Sequence, residues 1–189
     1  PDVVQIPMTQ RCNLRCKMCS IPTDASTNRM ELSKEEIFDI LNQAKRMGIR
    51  EAVLTGGEPL LRYDLPEVCV YCKKIGLRSI VTTNGTIIDS ALAQSLVCCG
   101  LDHLHFSLDG LEETNDAIRG QGNFKKTIQA IQLLNALRVK NNHRPSIGIA
   151  CTVMEHNVDD LFPLLQYGEA INVDVINFLP FLKDTAQTP

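Results

Sequence analysis

Val3-Val4-Gln5-Ile6-Pro7-Met8-Thr9 runs almost directly into Arg11-Cys12-Asn13-Leu14-Arg15-Cys16-Lys17-Met18-Cys19. The first stretch reads as a β-strand, so the three cysteines sit in a loop leaving its C-terminal end. Their spacing is C-x3-C-x2-C. Extended chain covers at most about 3.5 Å per residue, so a loop this short wraps only something small. Three thiolates held that close repel one another unless they share a metal or a cluster, and soft thiolates select zinc, copper(I) or iron–sulfur. Three ligands are one short of a closed four-cysteine site, which leaves a metal corner open to substrate. Three readings stand at this point: unrelated buried thiols, a structural zinc site completed by Cys69-x2-Cys72, and an iron–sulfur cluster held by three cysteines.

Composition narrows the class. The 189 residues, 44% hydrophobic, suit one sizeable domain with its own core. A net charge of −3 and a pI near 5.8 give no electrostatic footprint for nucleic acid or an anionic membrane. No apolar run approaches the ~18 residues of a membrane span, and no signal peptide is visible. Eight cysteines without regular pairing suit a reducing, cytoplasmic setting. The chain starts at Pro1 and stops at Pro189, just after an apparent strand; residues 1–189 are expected to be one domain cut from a longer protein.

Beyond the loop, strand and helix patterns alternate. Residues 22–29 are polar and read as a surface loop. Ser33-Lys34-Glu35-Glu36 forms a capping box before the helical stripe Ile37, Ile40, Leu41 and Ala44, which Gly48 ends. Glu51 to Thr55 is the second strand, followed at once by Gly56-Gly57-Glu58-Pro59. Two glycines there permit a sharp turn or a close backbone approach, and Glu58 offers a carboxylate. Leu65, Val68, Cys69, Cys72 and Ile75 make a core-facing helical stripe, so Cys69-x2-Cys72 reads as packing before metal binding. Cys98, Cys99 and Cys151 read as structural too.

Ser79 to Thr83 is a third strand with Asn84-Gly85 as its exit turn, and a helix spans Asp89 to Cys99. In His103-Leu104-His105-Phe106-Ser107-Leu108-Asp109, apolar and polar residues alternate, which fits a barrel strand with helices outside and a site inside. Ser107 and Asp109 lie nearest its C-terminal end, where barrel sites form. Phe124 to Lys140 and Asp159 to Ala170 are helices; Ser146 to Val153 and Asp174 to Pro180 are the fifth and sixth strands. Six alternations predict an α/β partial (β/α)6 barrel of parallel strands with its polar elements on one C-terminal rim.

Cys12, Cys16 and Cys19 in C-x3-C-x2-C after a strand, in the setting Thr9-Gln10-Arg11-Cys12-Asn13-Leu14-Arg15-Cys16, together with Gly56-Gly57-Glu58-Pro59, resemble the radical S-adenosylmethionine (radical SAM) superfamily. The one departure is Met18, where the family most often carries an aromatic residue; its polarizable thioether can still cover an adenine ring. The resemblance implies a [4Fe-4S] cluster on the three cysteines whose open iron binds S-adenosylmethionine. It implies that Gly56, Gly57, Glu58 and Pro59 meet the methionyl ammonium and that Asn84 lines the cofactor side. Ser107, Asp109 and Arg119, in the S-L-D-G element and the Asn115–Gly120 segment, correspond to contacts with ribose and carboxylate. Thr152 and Asn157 match a pattern touching the nucleoside, and Leu179 a contact with adenine.

The activity implied is reductive cleavage of S-adenosylmethionine to a 5′-deoxyadenosyl radical that abstracts hydrogen from a substrate. An external one-electron donor such as flavodoxin or ferredoxin would be needed. The T-N-G, S-L-D-G and Arg119 details resemble the branch of peptide maturases, haem- and quinone-cofactor synthesis enzymes and molybdopterin-precursor cyclases, so the substrate class implied is a peptide or a small cofactor precursor. The rivals are a structural zinc module using Cys16, Cys19, Cys69 and Cys72, and an iron–sulfur electron carrier.

Overall fold

The computed structural model describes residues 1–19, 31–142 and 144–181; the polar loop expected over 22–29 lies outside them. Six strands form one sheet: β1 (Val3–Thr9), β2 (Glu51–Gly56), β3 (Arg78–Thr83), β4 (His103–Ser107), β5 (Ser146–Val153) and β6 (Val175–Pro180). The helices are α1 (Lys34–Arg46), α2 (Leu65–Lys74), α3 (Ser90–Cys98), α4 (Glu112–Arg119), α5 (Asn123–Arg138) and α6 (Leu161–Ala170). Every pairing is parallel and the strand order is β1-β2-β3-β4-β5-β6. A doubly wound sheet reverses direction at a switch point. This one never does, so it winds one way, as an open portion of a barrel.

The alternation along each strand sorts the two faces. Ile6, Met8, Ala52, Leu54, Val81, Leu104, Phe106, Ile147, Ile149 and Cys151 are buried and form the core with the helices. Close packing confirms the direction: a Cβ on Gly168 of α6 would meet Ile176 and Ile149. The opposite face carries Gln5, Thr55, Thr82, His105, Ser107 and Asn177, placed in rows by the register Thr82↔His105↔Gly148↔Val175 and Ser107↔Ala150↔Asn177. Gly148 leaves room on this inner face, since a Cβ there would lie 2.5 Å from His105 Cδ2. The polar-in, apolar-out reading of β4 is therefore borne out.

Local signals hold where they were strong. Ser33 and Glu36 make both bonds of the capping box on α1. Leu65, Val68, Cys69 and Cys72 of α2 are all fully buried. Three elements differ from expectation. α4 was not anticipated as a helix: only Ala117 and Ile118 are apolar in Glu112–Arg119, too few to make a readable stripe. α5 stops at Arg138, and a 3-10 turn over Val139–Asn141 follows; likewise the 3-10 turn Glu155–Asp160 precedes α6. Cys98, expected to be structural, is exposed, with its sulfur accepting from Gln94 Nε2 at 3.0 Å.

Candidate active site

The cysteine loop leaves β1 at the C-terminal rim and is held from three sides. The Gly57 amide donates to Thr9 O (2.7 Å) and the Glu58 amide to Arg11 O (2.8 Å), zipping the loop's first residues to the exit of β2. A Cβ on Gly57 would overlap the Arg11 carbonyl, and one on Gly56 (φ +131°) the Thr9 carbonyl. The close approach that the two glycines permit is thus the approach of the cysteine loop itself. From β3, Asn84 Nδ2 donates to Asn13 Oδ1 (2.9 Å), while Asn13 Nδ2 donates to Thr86 Oγ1 (2.8 Å). From α4, the Ile118 carbonyl accepts the Lys17 amide (2.9 Å).

Within the loop Cys12 and Cys16 are half-buried and Cys19 is exposed; all three are free thiols. Burial pushes the Cys12 and Cys16 thiols up; the Leu14 amide, 3.4 Å from Cys12 Sγ, opposes the first, and Arg119 opposes the second. Among the described residues no three Cys, His, Asp or Glu side chains converge to hold a single metal ion. A four-iron cluster takes one cysteine per iron and so spreads its donors more widely than a mononuclear site does. The proposed zinc partners are elsewhere: Cys69 and Cys72 are fully buried on α2, and burial pushes the Cys72 thiol up to about 12.

The Glu58 carboxylate, expected near an ammonium, is engaged within the protein. It is fully buried. Its Oε1 accepts from Leu60 N (3.0 Å) and Thr83 Oγ1 (2.7 Å), and its Oε2 from Asn84 N (2.7 Å). Burial pushes the carboxyl up, and these donors pull against it. Glu58 therefore pins the exit of β2 to that of β3, with Pro59 opening the 3-10 turn behind it. Asn84 is likewise committed within the protein, its Oδ1 accepting from Thr86 N and Oγ1 and its Nδ2 reaching Asn13.

The exits of β4 and β5 meet in a second network. Asp109, fully buried, accepts from Thr152 N on Oδ1 (2.8 Å), while its amide donates to Asn115 Oδ1 (3.1 Å). Asn157 is buried too, donating to the carbonyls of Asp109 and Thr152 (2.8 Å each) and accepting from Met154 N (2.7 Å). Asn157 thus ties two turns together. Arg119 is not the surface residue a loop would give: it ends α4, its Nε lies 2.6 Å from Asp109 Oδ2, and its Nη1 lies 4.0 Å from Cys16 Sγ. Ser107 and Thr152 are half-buried at the inner rim, Met18 is half-buried in the cysteine loop, and Leu179 is 52% exposed on the edge strand β6. Sequence reasoning missed Asn13, Thr83, Thr86 and Asn115. The Asn13-x70-Asn84 pairing has no local signal, but Thr86 beside the Asn-Gly turn was a visible Asx-turn partner.

The donor set fits an iron–sulfur group: three soft thiols on one anchored loop, none consumed by the core, with a cation beside one of them. A parallel partial barrel bearing such a loop on its C-terminal rim defines a class, and the comparisons agree with it. The Radical SAM superfamily profile matches residues 6–167. The chain belongs to the radical SAM superfamily. Members are enzymes that use a [4Fe-4S] cluster and S-adenosylmethionine.

Among relatives, the Fe-coproporphyrin III synthase of Methanosarcina barkeri is 35% identical over 168 residues, covering 87% of this chain and 41% of that protein. The GTP 3′,8-cyclase of Limosilactobacillus fermentum is 33% identical over 188 residues, covering 95% of this chain and 54% of that one. The chain thus spans about half the length of the curated relatives it matches. Two solved structures share the fold: Streptococcus suis SuiB (TM-score 0.82, 19% identity, 100% of this chain and 42% of that chain) and anSMEcpe with bound AdoMet (TM-score 0.75, 20% identity, 96% and 51%).

Proposed function

We propose that the protein is the catalytic core of a radical SAM enzyme, with Cys12, Cys16 and Cys19 holding a [4Fe-4S] cluster whose fourth iron binds S-adenosylmethionine. The observation that carries this is the loop: its three thiols stand together after β1, half-buried or exposed, and the exits of β2 and β3 and the end of α4 all bond to it. When bound, the cluster and cofactor would supply one-electron reductive cleavage of the sulfonium and, through it, radical hydrogen abstraction from substrate. The chain's own residues do the rest. The thiols lose their protons on loading, which the half-burial of Cys12 and Cys16 makes costly without metal. Arg119 places positive charge at Cys16, where the thiolate and the cofactor carboxylate bring negative charge. Backbone at Gly56 and Gly57 suits the cofactor ammonium, Ser107 and Thr152 its ribose, and Met18 its adenine. Free thiols at all eight cysteines suit the cytoplasm, and a flavodoxin- or ferredoxin-like donor would deliver the electron.

The inner face favours a peptide over a polyanionic precursor. Among its described strand residues the ionised side chains are Glu51 and Arg78, and they pair with each other at the end away from the rim. Thr55, Thr82, Ser107 and Asn177 are neutral hydrogen-bonding groups, and burial pushes the His105 pKa down, which favours its uncharged ring. Equilibrium dialysis with GTP should show no retention by the cofactor-loaded protein; tight retention would reverse this choice.

The class is tested anaerobically. After reconstitution with iron and sulfide, addition of S-adenosylmethionine and dithionite should yield 5′-deoxyadenosine on chromatography, dependent on Cys12, Cys16 and Cys19. A loaded, reducible cluster that never cleaves the cofactor would instead support an electron carrier.

A further inference from the structure

Asp109 lies two residues beyond β4 with no exposed surface, and its hydrogen bonds and ion pair go to Asn115, Thr152, Asn157 and Arg119. Arg119 touches the cysteine loop, through the 4.0 Å approach of Nη1 to Cys16 Sγ. Asp109 is fixed at its amide by Asn115, at its carbonyl by Asn157 and at Oδ1 by Thr152. Its Oδ2 lies 2.6 Å from Arg119 Nε. The Arg119 N–H is not aligned on that oxygen, and both atoms are buried without a directed hydrogen bond. The contact is therefore Coulombic: it holds the base of the guanidinium and leaves the outer edge of the fork aimed at the loop. Arg119 itself is anchored twice by backbone, its carbonyl accepting from Asn123 Nδ2 (2.9 Å) and the preceding Ile118 carbonyl from Lys17 N (2.9 Å).

The geometry points to Asp109 as a positioning residue, one that never meets the cofactor but holds the Arg119 fork at the Cys16 corner, so that cofactor affinity and cluster potential both depend on it through Arg119. This rests on the functional reading above. The physical reason is the cost of a buried charge without its partner. With Asp109 ionised, the guanidinium is compensated in a side chain only 11% exposed. Without that charge, Arg119 gains by swinging out to water and leaves Cys16. Thr152 and Asn157, whose pattern resembled nucleoside contacts, act in the same device by fixing Asp109.

The sign of one measurement separates positioning from a plain charge effect. A guanidinium beside a cluster ligand stabilises the more negative, reduced cluster and raises its potential. In Asp109→Asn a static Arg119 would have lost its counter-charge, and the potential would rise. An Arg119 released to solvent removes its positive charge from the cluster, and the potential should fall. We expect a fall in an EPR-monitored redox titration of the reconstituted protein, with S-adenosylmethionine binding about 10- to 100-fold weaker by calorimetry. Arg119→Gln should show both changes, and Asp109→Asn/Arg119→Gln should bind the cofactor as Arg119→Gln does, because Asp109 has nothing left to aim, with a potential no lower than that of Arg119→Gln, since a negative charge has also gone.

A raised potential with unchanged affinity in Asp109→Asn, or further loss in the double variant beyond Arg119→Gln, would overturn the proposal. Should Asp109→Asn fail to fold, the double variant, in which both charges are gone, still compares directly with Arg119→Gln. Absence of cofactor binding by the unsubstituted protein would instead contradict the functional reading itself.

Discussion

Two sets of cysteines in this chain carry nearly the same local spacing and do opposite things. Cys12, Cys16 and Cys19 lie on the rim loop, half-buried or exposed, with backbone at the β2 exit and the end of α4 and side chains at the β3 exit fixing the loop. Cys69 and Cys72 lie on the core stripe of α2, fully buried, and Cys151 lies on the core face of β5. Burial pushes Cys72 and Cys151 up to about 12. A C-x2-C on a helix stripe packs as two small apolar residues; a C-x2-C in a loop after a parallel strand keeps its thiols available as donors. What separates them is the element that carries them, because the element sets whether a thiolate can exist.

The largest effect that could break this contrast comes from the rim. Replacing Cys12, Cys16 or Cys19 by Ala should reduce bound iron and sulfide to background while the fold persists by circular dichroism. A full iron complement in any one of them would dissolve the distinction. Next comes Gly57→Ala. A Cβ there runs into the Arg11 carbonyl, so the loop must move off β2; a stability loss of about 2 kcal/mol in denaturant titration and a cluster yield cut by half or more are expected.

Cys72→Ala should do the reverse. It should cost about 1 kcal/mol for a small buried cavity and leave iron content unchanged. Iron loss in that variant would revive the zinc reading. The smallest effect is kinetic. Alkylation needs thiolate, and desolvation shifts the Cys72 and Cys151 thiols toward about 12. In native, cluster-free protein at pH 9, mass spectrometry should find Cys19 and Cys98 modified by iodoacetamide and Cys72 and Cys151 unmodified, with those two reacting only as the pH approaches that value or the protein unfolds. Equal labelling of Cys72 at pH 9 would mean that α2 does not bury it.

The contrast also marks how far the sequence could be read. Strand and helix alternation gave the parallel sheet and its layers, because the period-2 pattern of His103–Asp109 and the helical stripe from Leu65 to Ile75 are local quantities. The same stripe already placed Cys69 and Cys72 in the core. The rim was legible as a set of residues but not as a set of bonds. Glu58 sits where the motif puts it, yet its direction depends on Thr83 and Asn84 arriving from β3. Arg119 was singled out, but its helix lacks an apolar stripe and its partner Asp109 lies across a turn, so the pairing had no period to reveal it. Leu179 was read for a contact with adenine, and only its place on the edge strand shows it exposed.

The central claim is that three rim thiols hold a cluster with one iron open to S-adenosylmethionine. The most direct measurement is the EPR spectrum of the reconstituted, dithionite-reduced protein before and after addition of S-adenosylmethionine. The account predicts a [4Fe-4S]+ signal that changes shape when the cofactor is added, and no such signal in Cys16→Ala. A signal indifferent to the cofactor, or one that persists in Cys16→Ala, would contradict it.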